Sequence, residues 1–385
     1  MKCNFCGTEV KEFNLGFTPI AGYKIDNLPE SIAQPKFPLE MLFCPNCNYT
    51  KYKEYPGMDA ILTRMYEQQE ATYSQSIKIS DYIENLAKEL ISKYSLTKDS
   101  SILEIGCNDG SLLYAFKMLL DCKLLGYEPS SQFKDIWKSH GLNVVNSFFP
   151  SKEVTEIKST FKVIVIRHVL EHISDVKNMI ENISKLMDDS SVLIIEVPYL
   201  PTVLKNKRIE NISHPHLNYF TIRSINEVVS KYNLGVADFK LVKTDGGSIL
   251  LHIKKNIKTD VAILDTLKEQ DFIELKEYIR TRKMTIDQIL GKYKKGEVIG
   301  SGAGAKGPHL IHLFDLGRYM NNVLDVNSNF VGKYIAGTAV QIKLEDYTDD
   351  QLKAVINLAP THSEKIKAVI PKHLAIIDII EDEQN

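Results

Sequence analysis

The spacing of apolar residues changes character several times along the chain. Residues 1–56 have little three- or four-residue periodicity. They are rich in turn formers (Pro19, Gly22, Pro29, Pro35, Pro38, Pro45 and Pro56), which predicts a small module of loops and short strands. From Gly57 to Tyr94 the pattern becomes helical, with Ile79, Ile83, Leu86, Ala87 and Leu90 falling on one face. Between residues 100 and 255, short β-rich runs alternate with helical segments. The runs are Ile102–Ile105, Lys123–Tyr127, Val163–Ile166, Val192–Val197 and Ile249–Ile253. Strands separated by helices predict a parallel sheet with crossover helices. A long charged helical pattern follows over Asp260–Tyr293 and reads as a connector. A second α/β set is then expected at Val298–Gly300, Asn322–Asp325, Ala354–Asn357 and Leu374–Asp378. The expected division is a module at 1–56, a helical lead-in at 57–95, an α/β domain at 96–258 and a second α/β domain at 259–385. The two α/β parts look like nucleotide-binding-type domains in series.

Composition narrows the classes. With 44% hydrophobic and 25% charged residues, the chain is neither a disordered polymer nor a disulfide scaffold. Lysine plus arginine number 47 against 49 acidic residues, a net charge of −2. General nucleic-acid binding needs a basic excess to neutralise phosphates, so no nucleic-acid partner is expected. The longest apolar runs, such as Val163–Ile166, fall far short of the ~18 residues of a membrane span, so no membrane partner is expected either. The first residues, MKCNFC, contain no apolar signal core, and a reducing cytoplasm is the expected location.

Four of the six cysteines form two C-x-x-C pairs, Cys3/Cys6 and Cys44/Cys47. Each tight turn aims two sulfurs the same way, and four thiolates at ~2.3 Å make a closed structural zinc site. Gly7 and Asn48, one after each pair, suit the turns. Four protein ligands leave no open position for catalysis.

The segment Ile102-Leu103-Glu104-Ile105-Gly106-Cys107-Asn108-Asp109-Gly110-Ser111-Leu112 is a buried strand, a glycine-rich turn and a helix start. Gly106 and Gly110 let backbone approach a ligand closely. Glu128, followed by Pro129, ends the next apolar run, where a carboxylate can accept hydrogen bonds from both ribose hydroxyls. The spacing is E-x-G-x-x-x-G rather than the dinucleotide G-x-G-x-x-G. It resembles motif I of class I methyltransferases, which bind S-adenosylmethionine. Two further segments resemble later parts of that fold: Asn146-Ser147-Phe148-Phe149 at the adenine side, and Arg167-His168-Val169-Leu170-Glu171-His172-Ile173 after the fourth strand. The resemblance implies cofactor contacts from Glu104, Gly106, Asn108, Gly110, Ser111, Leu112, Glu128, Pro129, Ser147, Phe148, Phe149, Arg167, His168 and His172. The stretch His168–His172 also spells H-x-x-E-H, a metalloprotease pattern. It directly follows a buried strand, which favours the methyltransferase reading, with His172 as a packing or cofactor-side residue.

In Ile212-Ser213-His214-Pro215-His216-Leu217-Asn218-Tyr219-Phe220, an extended backbone would point His214 and His216 to one side, and Thr221 would cap a helix. Imidazoles titrate near neutrality, so a proton-transfer site is the functional expectation.

Taken together, the four-cysteine module, the E-I-G-x-N-D-G loop, the H-x-H-x-x-Y-F segment and the second α/β domain resemble the sugar C-methyltransferase family. That domain carries Gly300-Ser301-Gly302-Ala303-Gly304-Ala305-Lys306-Gly307 and later Asp325. The resemblance implies methylation of a carbon α to a ketone on a nucleotide-linked keto-deoxysugar, through an enolate. It gives His216 as the base, Tyr73 as a relay, and His214 or Tyr219 as donor to the enolate oxygen. Gly300, Gly302, Ala305, Lys306 and Asp325 would hold the nucleotide sugar. The family usually reads H-E-H where this chain has His214-Pro215-His216. The missing glutamate keeps open an O- or N-methyltransferase acting on a sugar-like small molecule through the same cofactor site. A non-catalytic binding module and a nucleic-acid methyltransferase are weaker alternatives.

Overall fold

The computed structural model describes residues 1–20, 22, 24–69, 77, 79–151 and 160–380, side chains of 64–69 excepted. Tyr73, the expected relay, lies outside the described residues.

The first α/β part is a seven-stranded sheet. Its order is Leu234–Val242, Ser248–Lys255, Val192–Pro198, Val163–Arg167, Ser101–Ile105, Lys123–Tyr127 and Val144–Val145. Alternation along the central strands separates two cores. Ile102, Val163, Val165, Val192 and Ile194 meet the helices Asp81–Lys93 and Ser111–Leu120 on one face. Leu103, Ile105, Ile164, Ile166, Leu193 and Ile195 meet the helices Val176–Lys185 and Ile222–Val229 on the other. Thr221 caps the latter helix in a reciprocal capping box with Ser224. This is the class I, Rossmann-like methyltransferase fold.

The sheet is not wholly parallel as the sequence pattern predicts. Ser248–Lys255 runs antiparallel to both of its neighbours. Its partner Leu234–Val242 escaped the pattern because only its first three residues are buried and the next five, apolar and polar alike, are exposed.

The second α/β part is also seven-stranded. Its order is Ala375–Asp378, Ala354–Asn357, Val298–Ser301, Asn322–Asp325, Gln341–Leu344, Tyr334–Ile335 and Lys24–Ile25. The last strand comes from the N-terminal region, with Tyr334 opposite Ile25. Ser31 fastens it by donating to the carbonyls of Ile335 and Thr338 at 3.0 and 2.9 Å. A third, antiparallel sheet contains Lys11–Thr18, Phe37–Phe43, Thr50–Tyr52 and Asn218–Tyr219. The N-terminal region therefore gives one strand to the second α/β part and takes one, Asn218–Tyr219, from the first.

The connector is a helix over Glu269–Leu290, shorter than its charged pattern. Its face of Phe272, Leu275, Ile279, Ile286 and Leu290 is buried, and Phe272 stacks 4.9 Å from Phe13.

Candidate active site and metal centre

The four cysteine sulfurs converge. Cys3 and Cys47 lie 3.6 Å apart, Cys6 and Cys44 3.4 Å, and all four fall within 4.8 Å of one another. A tetrahedral ion with bonds of ~2.3 Å places its sulfurs about 3.8 Å apart, so the cluster fits zinc. Gly7 and Asn48 adopt the left-handed conformations expected of the turns, at φ 79° and 56°.

At the end of the strand Ser101–Ile105, Gly106 and Cys107 turn back to the carbonyl of Tyr127, and Gly106 sits at φ 72°. A Cβ on Gly106 would stand 2.2 Å from Val169 Cγ2, so this position admits only glycine. Gly110, at φ 85°, lies against Leu142. Glu128 straps the loop. Its two carboxylate oxygens accept from the N–H groups of Asn108 and Ser130 at 3.0 and 2.9 Å. The indole N–H of Trp137 holds the Asn108 carbonyl at 2.8 Å. Ser111 spends its hydroxyl on Asp109, and Leu112 is buried beneath the loop.

Glu104 lies buried below the turn, and burial pushes its carboxyl up to about 8. Its Oε2 has no partner among the described residues. An unpaired buried carboxyl suits a cationic ligand, and S-adenosylmethionine carries an ammonium and a sulfonium. In the segment expected at the adenine side, Asn146 donates to the carbonyls of Glu128 and Pro129 at 3.0 and 2.9 Å. Ser147 is half-buried, Phe149 packs edge-on against Tyr127, and Phe148 is 73% exposed.

A chain of alternating charge runs away from this loop. Arg167 donates to Glu196 at 2.6 Å, and Glu196 faces His168 at 3.2 Å. His168 in turn stands 3.5 Å from Glu171. Burial opposes a charge on His168, but the two carboxylates outweigh it and raise the imidazole to about 10. Thr244 donates to Glu196 at 2.6 Å.

Beyond Glu171, the structure departs from the sequence expectation at several residues. The segment around Pro215 is a turn, closed by the His216 N–H on the Ser213 carbonyl at 3.0 Å, and it is not extended. The two histidines therefore diverge. His214 packs edge-on against Tyr52 at 4.9 Å, whereas His216 meets His172 at 5.0 Å. His172, expected on the cofactor side, belongs with His216, and its Nδ1 is bonded to the Pro215 carbonyl at 2.7 Å. Tyr219 is not positioned as a free donor. Its hydroxyl accepts from the Ser213 N–H at 3.1 Å and donates to the Ser213 carbonyl.

In the second glycine loop, Asp325 Oδ2 accepts from the Ala303 N–H at 2.8 Å, much as Glu128 braces the first loop. The close-packing positions are Gly300, Gly302 and Gly307. A Cβ on Gly307 would lie 2.0 Å from the Gly302 carbonyl oxygen, while Ala305, the expected third position, is exposed. Lys306 reaches across to Asp245 at 2.5 Å and so ties the two α/β parts together.

Sequence reasoning named His214 but missed Asn211 and His309. Asn211, His214 and His309 are essentially buried, and Asn211 Oδ1 and both ring nitrogens of each histidine have no partner among the described residues. Glu171 Oε2 and His216 Nδ1 are in the same state. Buried polar atoms are normally satisfied, so this many left without a partner among the described residues are suited to polar guests. His309 lies in an apolar helical stretch, and only the fold brings it here.

Residues 79–238 match the family model described as a methyltransferase domain. The chain is an S-adenosylmethionine-dependent methyltransferase. A relative, C-methyltransferase NovU of Streptomyces niveus, is 22% identical over 89% of this chain and 85% of its own length. A tRNA U34 carboxymethyltransferase of Sulfurimonas denitrificans is 29% identical over 31% of this chain and 42% of its own. Among solved structures, the SAM-bound magnesium protoporphyrin IX methyltransferase of Synechocystis PCC 6803 is similar at a TM-score of 0.35, with 13% identity, covering 53% of this chain and 86% of that one. Among the described residues, no helix is long and apolar enough to cross a membrane.

Proposed function

We propose that the enzyme methylates a carbon α to a ketone on a nucleotide-linked keto-deoxysugar, with His216 as the base and a structural zinc ion on Cys3, Cys6, Cys44 and Cys47. The observation that carries this reading is the cluster of unsatisfied buried polar atoms between the two glycine loops. Asn211, His214, His216 and His309 offer donors and acceptors suited to a hydroxyl-rich guest. The Lys306–Asp245 pair links this cluster to the second loop, whose backbone suits a diphosphate. The relative NovU, which spans nearly the whole chain, is named a C-methyltransferase.

S-adenosylmethionine supplies a methyl group that is already electrophilic. The protein must make the carbon nucleophile. Burial lowers His216 to about 4, so the imidazole is neutral at pH 7 and able to take a proton. The α C–H bond breaks, its electron pair becomes the enolate, and the proton rests on His216. The carbon pair then forms the new C–CH₃ bond as the sulfonium sulfur leaves with its own pair. General-base catalysis of this kind contributes about 10²–10⁴-fold. His309 is the available donor toward the enolate oxygen, since Tyr219 is engaged and His214 packs against Tyr52.

The test is incubation with S-adenosylmethionine and a panel of nucleotide keto-sugars, with products read by mass spectrometry. Enzyme without cofactor, in deuterium oxide, should exchange the α-proton of the acceptor. Methylation of a hydroxyl or amine with no exchange at carbon would replace this reading by the O- or N-transfer alternative.

A further inference from the structure

We propose that Glu171 is the positioning carboxylate of the base: it orients the His172–His216 pair and receives the hydrogen bond of the imidazolium formed when His216 takes the substrate proton. This deepens the function proposed above and rests on it for the identity of the proton donor.

The argument begins with an energetic oddity. Glu171 is 2% exposed, and one of its oxygens has no partner among the described residues. An ionised carboxylate in such a place is costly unless something compensates it. Burial would raise its pKa, yet it is lowered, because His168, His172 and His216 surround it. His168 pairs with one oxygen at 3.5 Å and is itself anchored by Glu196. The charge of Glu171 is thus held in place from the cofactor side, while the other side of the carboxylate remains to be used.

What lies there is the imidazole pair. Glu171, His172 and His216 each bring one polar atom to within 4.8 Å of the other two. His172 is fixed in tautomer by the Pro215 carbonyl, to which its Nδ1 is bonded. His216 Nδ1 is buried and unpartnered. A neutral imidazole in an apolar surround is a poor base, because its charged form is penalised. A fixed carboxylate nearby offsets that penalty at the moment the proton arrives. The other charged groups facing His216 are Asp245, which favours its protonation, and His172 and Lys306, which oppose it. Asp245 and Lys306 are paired with each other, which leaves the second oxygen of Glu171, without a partner among the described residues, to answer a charge on His216.

The turn itself is built to hold this arrangement. Leu170–His172 forms a single 3₁₀ turn, and the Asn218 side chain grips its carbonyls at Leu170 and Ile173 at 3.2 and 2.7 Å. Asn218 lies two residues beyond His216, so one side chain locks the Glu171 segment to the His216 segment.

The experiment uses Glu171→Gln and wild-type full-length zinc-loaded protein. Histidine ¹⁵N spectra of the adenosylhomocysteine complex are titrated with pH, which requires no acceptor. The expected result is a His216 midpoint lower by one unit or more in the variant, the size of a carboxylate within about 4–6 Å. With an acceptor that wild type methylates, kcat should fall at least 100-fold, the acid limb of kcat/KM should move to lower pH, and adenosylhomocysteine affinity should stay within twofold. An unmoved His216 midpoint, or a reduced kcat with an unmoved acid limb, would overturn the proposal. So would a second equivalent of bound zinc in wild type that Glu171→Gln removes, because the trio would then be a metal site. Should Glu171→Gln not fold, Glu171→Asp keeps the charge but shortens its reach. It should lose about tenfold in kcat, and an unchanged kcat would overturn the role. If no keto-sugar is turned over by wild type, the function proposed above fails, while the spectra still decide the placement of Glu171.

Discussion

The hydroxyl of Tyr49 hydrogen-bonds to Oδ1 of Asn218, joining the cysteine module to the catalytic lobe. Tyr49 follows Cys47 by two residues and stacks on Phe5 at 3.8 Å, while Asn218 grips the turn that carries Glu171. The strand pairing of Thr50 with Tyr219 runs alongside. The cysteine cluster is thus one hydrogen bond removed from the residue that fixes the turn.

Tyr49→Phe leaves Asn218 Oδ1 buried without its donor. A buried unsatisfied acceptor costs about 1–3 kcal/mol, so the melting temperature should drop by several degrees. Methyl transfer should slow while adenosylhomocysteine affinity holds, as calorimetry and a turnover assay would measure. Equal losses in affinity and rate would place the effect elsewhere.

Metal analysis should find one zinc per chain, retained through gel filtration. Cys47→Ser, which removes one ligand, should lose the metal and lower the melting temperature, because structural zinc binding is folding free energy. Retention of a full equivalent in that variant would refute the four-sulfur site.

Glu104 holds its proton at neutral pH, with its carboxyl near 8. A cationic cofactor bound beside it favours the carboxylate, so binding should release close to one proton at pH 7. Titration calorimetry in buffers of different ionisation enthalpy reads this number directly. Glu104→Gln should abolish the release.

Gly106→Ala forces a Cβ to 2.2 Å from Val169 at a positive φ. The variant should bind cofactor at least tenfold more weakly and lose about 1–3 kcal/mol of stability. Val169→Ala added to it should recover part of both, because only the steric component is relieved.

His168 is raised to about 10 in the folded protein. Its contribution to stability is complete below its unfolded value, near 6.5, and is lost as pH rises toward 10. Wild type should lose stability across that window more steeply than His168→Gln, as urea titrations at pH 6.5, 8 and 9.5 would reveal. Parallel curves would mean that His168 stays neutral.

Much of this was legible in the sequence because local rules govern it. The cysteine pairs, the first glycine loop and the central strands depend on spacing and continuous apolar runs. The strand Leu234–Val242 was hidden because an edge position exposes most of its residues. The divergence of His214 and His216 was hidden because a turn centred on Pro215 replaces the extended backbone. His309 and Asn211 carry no local signal. Only the docking of one α/β part on the other makes neighbours of them.

The strand Lys24–Ile25, which finishes the edge of the C-terminal sheet beside Tyr334–Ile335, has a consequence for biosynthesis. Its docking site leaves the ribosome about 310 residues later, roughly 15–60 s at ordinary translation rates. Until then the nascent strand must wait uncovered, so the edge of the C-terminal sheet closes only after about 310 further residues have been made.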